Sequence, residues 1–273
     1  EQTVYVVDLP SNRLEAWAAL EAERFKNPVF RLFQSEIEAV YEEKNKSLDD
    51  GETLLHEEVG RRLFKAHPYG QQLTIGSIEH LKNPSLAKMY AFYDRWYAPN
   101  NMALILSGDF DRAQTLELIK KHFSSWTPRP LPSLPAWDLP KPKGAEKYDI
   151  VYQAEQKVVL AWLTVATSHP DADVLTVMDM IVDNSMSGLL NLRLNQAQKV
   201  KSSGSGPLMG NDSGAWYAWA VAKKGQSLED AEALLLEAVN GLKAGEFSEE
   251  DVAAIITNFE IAEKARLESN ASR

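Results

Sequence analysis

The sequence has no cysteine. Disulfide bonds, thiolate metal sites and cysteine-nucleophile catalysis are therefore excluded. Long apolar runs are missing too. No stretch approaches the ~18 residues that would read as a membrane-spanning helix. Positive charge is scarce: 29 Lys and Arg stand against 39 Asp and Glu, a formal net charge of −10. A nucleic-acid binder would show a basic face, so that class is set aside. The Gly/Ser-rich stretch Ser202–Pro207 is followed by no G-K-[ST], and no G-x-S-x-G elbow occurs. Phosphate-loop and α/β-hydrolase chemistry are unsupported. No signal-peptide pattern is visible.

What is present is ordinary for a globular chain: 273 residues, 44% hydrophobic and 25% charged. That length suits one or two domains, each with its own core. Thr3–Val7 is β-branched and aromatic and reads as a strand. Helical spacing follows over Leu14–Phe25, Leu54–Phe64 and Ala113–Phe123. Asn83-Pro84 reads as the start of a helix that runs to Trp96. Met102–Ser107 is a continuous apolar run, expected as a buried strand. Six prolines between Thr127 and Lys143 make a stiff, extended connector. Beyond it, Tyr148–Tyr152, Val158–Val165 and Ala215–Val221 read as strands, and Ser202–Gly214 as a loop. Ala172–Val182, Leu189–Ala197, Leu228–Leu242 and Glu249–Glu268 read as helices. The expected fold is α+β, with two similar domains, residues 1–127 and 147–273, joined by 128–146. Each would be an antiparallel-rich sheet with helices packed on one face. The chain opens on a strand and closes on a helix without a stop signal. The expectation is a fragment, with the first domain incomplete at its N-terminus and the second at its C-terminus.

Phe30–Asp50 organises the rest. Phe30, Phe33, Ile37, Val40 and Tyr41 form one apolar stripe at helical spacing. Glu36 and Glu43 lie seven apart, about two turns, so their carboxylates stack on one line at the stripe's edge. Two readings follow. The pair is a solvated acidic flank, or one carboxylate binds a cation.

Ser35-Glu-Ile-Glu-Ala-Val-Tyr-Glu-Glu-Lys-Asn-Lys-Ser-Leu-Asp-Asp50 resembles a segment of the inverzincin metallopeptidases, the pitrilysin, insulinase and mitochondrial processing peptidase group. Three other stretches resemble the family in the same order: Glu1–Val7, His67-Pro-Tyr-Gly with Ile75-Gly-Ser, and Trp96–Leu104 with Gly108-Asp-Phe-Asp. The family binds zinc through the two His of H-x-x-E-H and a distant Glu. The resemblance implies that Glu43 is that third zinc ligand. It implies that Glu36 is the acid two turns earlier that orients the site electrostatically. It further implies a parent enzyme that hydrolyses peptides or unfolded polypeptides inside a chamber of paired halves, and it is compatible with export to a bacterial periplasm.

The sequence departs from the family at the centre of the site. None of the five histidines, His56, His67, His80, His122 and His169, has another four residues away. H-x-x-E-H is absent, so the chain is expected to hold one ligand of a zinc site, to bind little or no zinc alone and to be inactive alone. The missing N-terminal segment and a second peptidase-like half are the expected partners, alongside peptide substrates. A family Arg/Tyr pair that holds substrate is half matched: Leu192-Arg193 fits, but Val200 stands where the Tyr would be. The alternative function is a non-catalytic scaffold or partner half.

Overall fold

The computed structural model describes residues 2–137, 139, 141–184, 186–270 and 272. Glu1 of the expected first strand, and Asp138 and Pro140 of the proline-rich connector, lie outside the described residues. In chain order the elements are α1 (Leu14–Lys26), α2 (Phe33–Leu48), α3 (Gly51–Phe64), α4 (Pro68–Gln71), α5 (Ile78–Lys82), α6 (Leu86–Trp96) and α7 (Arg112–Phe123). Then come β1 (Lys157–Thr164), α8 (Ala172–Val182), β2 (Ser202–Leu208), β3 (Gly214–Val221), α9 (Leu228–Lys243) and α10 (Glu249–Arg266). A π-helical turn, Asn191–Gln196, precedes β2. Residue contacts divide the chain into two compact units. One comprises Glu1–Glu42, Ile78–Pro135 and Arg266–Arg273, the other Glu43–Ser77 and Ala136–Ala265.

The second unit holds an antiparallel sheet in the order β1-β3-β2. Successive residues in a strand face opposite sides, so Val158, Leu160 and Trp162 share a face with their ladder partners Ala220, Ala218 and Trp216. That face carries the core: Val182, Leu190, Leu194 and Leu235 are buried against it. Alanines at 218 and 220 let α9 approach closely. Complete burial of Leu235 contributes about 2–3 kcal/mol. Helix α9 begins where Ser227 Oγ accepts the Asp230 N–H at 3.0 Å, a side-chain N-cap. On the other face, the His56 ring of α3 meets Tyr217 edge-on, and Glu52 of α3 pairs with Lys157 at 2.6 Å. The fold is thus α+β, an antiparallel sheet with packed helices.

The Ser202–Gly214 stretch, expected as a loop, begins with β2 instead. Its glycine content has a packing cause. A Cβ on Gly204 would stand 2.8 Å from the Trp219 ring of the neighbouring strand, so the tryptophan demands a glycine there. A smaller correction concerns a cap. Ser85, not Asn83, caps α6, accepting the Lys88 N–H. In His67-Pro-Tyr-Gly, His67 caps the single turn α4, its Nδ1 accepting the Tyr69 N–H at 3.1 Å. That turn lies so close to α3 that a Cβ on Gly70 would sit 2.7 Å from the Gly60 carbonyl.

The first unit is built from helices and extended segments. Tyr93 of α6 is buried and donates its hydroxyl to the Phe25 carbonyl at 3.0 Å. Burial pushes the Tyr93 phenol up to about 12. Lys121 of α7 pairs with Glu15 of α1 at 2.6 Å. The expected strands Thr3–Val7 and Met102–Ser107 join no ladder among the described residues. Val6 is 75% exposed and Ile105 83%. Apolar alternation needs a neighbouring strand before it can become a sheet. Tyr148–Tyr152 of the second unit likewise stays outside the ladder.

Candidate metal-ligand helix

Helix α2 carries both candidate acids, and both are exposed. The chain enters it through Leu32, a left-handed residue at φ 58°, whose carbonyl accepts the Glu36 N–H at 3.0 Å. The apolar stripe, Phe33 through Tyr41, is half-buried. The one buried side chain of α2 is Lys44. Its Nζ pairs with Glu57 of α3 at 2.8 Å. Successive residues stand about 100° apart around a helix. With Lys44 locked toward α3, the preceding Glu43 is turned away from that contact and into solvent. Glu36, two turns back on the same line, is also exposed.

The end of α2 leads straight into α3 through Asp50. Its carboxylate accepts the N–H groups of Glu52 and Thr53 at 3.3 and 3.2 Å and the Thr53 hydroxyl at 2.7 Å. Those donors hold the Asp50 carboxyl below the usual carboxylate range, the Thr53 hydroxyl contributing most. Asp50 is therefore a helix cap. The Lys44–Glu57 pair is what sequence reasoning missed. Its only signal was a lysine inside an acidic run.

A zinc ion takes about four ligands in tetrahedral array. Among the described residues, no three His, Cys, Asp or Glu come together as a metal site. His67 is buried, with its Nε2 3.3 Å from Asp212 and its Nδ1 used by the Tyr69 N–H. His122 lies 3.7 Å from Glu15, and His169 3.7 Å from Asp171. Glu43 offers a metal a single exposed carboxylate. It fits one coordination position and does not make a site.

Arg193 lies on the π-helical turn and pairs with Glu246. A side chain at Gly241, inside α9, would collide with its guanidinium. Glycine in mid-helix costs roughly 1 kcal/mol relative to alanine, and this contact accounts for it. Arg193 is committed to the α9–α10 turn. Asp179 and Trp216 are a buried structural pair, the indole donating to Asp179 Oδ1 at 2.7 Å.

Residues 84–259 match the family described as "Peptidase M16 inactive domain". The chain belongs to the M16 peptidase family. "Probable zinc protease PqqL" of Haemophilus influenzae is 26% identical over 224 residues, covering 75% of this chain and 23% of that protein. "Zinc protease PqqE" of Helicobacter pylori is 23% identical, covering 62% and 39%. Among solved structures, a protease from Helicobacter pylori superposes with a TM-score of 0.85 at 22% identity, covering 96% of this chain and 65% of that one. The periplasmic protease PqqL from Escherichia coli gives 0.71 at 18% identity, covering 97% and 30%. These structures establish the M16 fold. The chain spans less than half the length of these curated relatives. The inverzincin resemblance is thereby met at the level of family and fold.

Proposed function

We propose that this chain is part of an M16 zinc endopeptidase that hydrolyses peptides or unfolded polypeptides within paired halves, and that Glu43 supplies the third zinc ligand there. Glu36 stands two turns behind as the acid that orients the ligand electrostatically. In this reading residues 1–127 belong to the metal-bearing domain, 128–146 to a connector and 147–273 to a second domain without metal. The observation that carries it is the contrast on α2: Lys44 is buried and paired, whereas Glu43 is exposed and has no hydrogen-bond or ion-pair partner among the described residues. An exposed carboxylate on an anchored helix is available to a metal. The relatives named as zinc proteases support the metal. Peptides would bind by strand addition, with backbone hydrogen bonds and weak sequence choice.

A second reading is a non-catalytic half that holds substrate or assembles. The "inactive domain" match favours it. The separating experiment is metal analysis and peptide hydrolysis on the protein encoded by the whole gene, with and without Glu43→Gln. Loss of both zinc and activity supports the ligand role. Unchanged zinc and activity removes Glu43 from the site. The 273-residue chain alone is expected to take up no stoichiometric zinc.

A further inference from the structure

Lys44 is a charge where the pattern of α2 asks for hydrocarbon. Phe33, Ile37, Val40 and Tyr41 recur at helical spacing, and the next position on that stripe is Lys44. Those four are half-buried, whereas Lys44 is the one buried side chain of the helix. A methionine could fill its place with little loss of stability, since a buried ion pair is often no better than a well-packed apolar pair. What the ion pair adds is direction. Lys44 Nζ donates to Glu57 Oε1 at 2.8 Å and has no other carboxylate partner among the described residues. Apolar contacts tolerate sliding, and a hydrogen-bonded charge pair does not. Helix α3, which carries Glu57, is held in turn by the sheet: Glu52 pairs with Lys157 of β1 at 2.6 Å, and the His56 ring meets Tyr217 of β3. At the corner between α2 and α3, the Tyr152 hydroxyl donates to the Leu48 carbonyl at 3.2 Å and Asp50 caps α3. The corner holds the end of α2 at one point. Its rotation needs a second point, and Lys44 supplies one about a turn further back. Glu43, Lys44, Glu57 and the sheet all belong to one compact unit.

We propose that Lys44 is a positioning residue: through Glu57 it sets the rotation of α2, and with it the direction in which the neighbouring Glu43 presents its carboxylate to the metal. This rests on the reading of Glu43 as a zinc ligand and adds the residue that aims it. A ligand must be held within about 0.5 Å and 10–20° of its productive geometry. Side chains on one helix turn together, so a rotation that takes Lys44 off Glu57 carries Glu43 out of that range in the same motion. Lys44 touches no metal. It acts through the helix, and loss of a group that orients a metal ligand typically costs ~10–100-fold in metal affinity.

The test is the zinc affinity of the protein encoded by the whole gene, measured by competition with a chromophoric chelator, beside its urea midpoint. The first variant joins Lys44→Met to Glu57→Leu, which fills the space and removes the direction. The midpoint should be kept while the zinc dissociation constant rises about tenfold or more. A role in stability alone would lower the midpoint and leave the affinity of the folded protein unchanged. Lys44→Met by itself is the second variant, because Glu57 is partly exposed and can turn to water. It should weaken zinc likewise. The exchanged pair, Lys44→Glu with Glu57→Lys, restores a directed contact and should recover most of the lost affinity. Zinc held by either folded Lys44→Met protein as tightly as by the unaltered one overturns the proposal. So does an exchanged pair that binds no more tightly than Lys44→Met. Glu43→Gln tells two failures apart. If it releases zinc while the Lys44→Met proteins keep theirs, the ligand stands and only the role of Lys44 falls. If it keeps its zinc, Glu43 is no ligand and the positioning role falls with it.

Discussion

Ile105 and Leu160 sit in runs that look alike in sequence, Met102–Ser107 and Val158–Val165, yet they end in different places. Leu160 is packed against the core of a three-stranded sheet. Ile105 is 83% exposed, in a segment without a ladder among the described residues. The apolar pattern is a demand for a neighbour, and the neighbour decides whether a strand forms. The sharpest way to break this comparison is to cut side chains in both units. Leu235→Ala, at a fully buried position against the sheet, should cost about 2–5 kcal/mol in urea denaturation, because the lost transfer energy adds to a cavity. Ile105→Ala should stay within about 0.5 kcal/mol. A cost at Ile105 equal to that at Leu235 would mean that the exposed run is covered in solution.

The same logic separates neighbours on α2. Lys44→Ala strands Glu57, whose side chain is 26% exposed. A fully buried pair broken from one side costs about 3–5 kcal/mol, and partial hydration of Glu57 should reduce that to about 2. Glu43→Gln should leave the stability of this chain within about 0.5 kcal/mol, since nothing in the described structure depends on its charge. If Glu43→Gln destabilises the chain as Lys44→Ala does, then Glu43 is a structural residue and its availability to zinc is lost.

The helices were legible because their apolar residues recur at three and four. Leu14–Phe25, Ala113–Phe123 and Leu228–Leu242 all appear within a residue or so of their expected bounds. The placement of Glu36 and Glu43 on one helix was equally legible, being local. Strand β2 was not, because Ser-Ser-Gly-Ser-Gly carries no apolar alternation. Its pattern answers to Trp219, a residue of another strand. Nor was the Lys44–Glu57 pair, whose residues lie thirteen apart on two successive helices and meet only through their packing. The assignment of Glu43 as a zinc ligand rests on resemblance, and its exposed place on α2 allows it.

Strand β2 offers a comparison within seven residues. Gly204→Ala would drive a methyl into the Trp219 ring, and overpacking of this kind costs about 1–3 kcal/mol. Gly206→Ala meets nothing within 4 Å and should be neutral or gain up to ~1 kcal/mol by restricting the unfolded chain. Equal effects on the denaturation midpoint would show that the ring contact does not constrain β2.

Beneath that strand, Asp179 gives the most pH-dependent effect. Burial raises its carboxyl above the ordinary aspartate range, although hydrogen bonds from Ser205 and Trp216 pull it back. Both donors reach the same oxygen, Oδ1, at 2.6 and 2.7 Å. An asparagine can keep both bonds and carries no charge. Between the unfolded value of about 4 and the raised folded value, the native chain holds more proton than the unfolded one. Its stability therefore falls as pH rises through that window and levels off above it. Asp179→Asn removes the fall. Relative to the unaltered chain, the variant should gain stability as pH rises from the acid side of the window toward neutrality. Asp179→Leu should lose about 1–3 kcal/mol throughout, because it leaves the buried Trp216 N–H without an acceptor. Should Asp179→Asn instead lose relative stability as pH rises, the ionised carboxylate itself stabilises the space between α8 and the sheet. The indole and hydroxyl donors would then outweigh desolvation, and Asp179 would be a charge held in place by design of the core rather than one tolerated there.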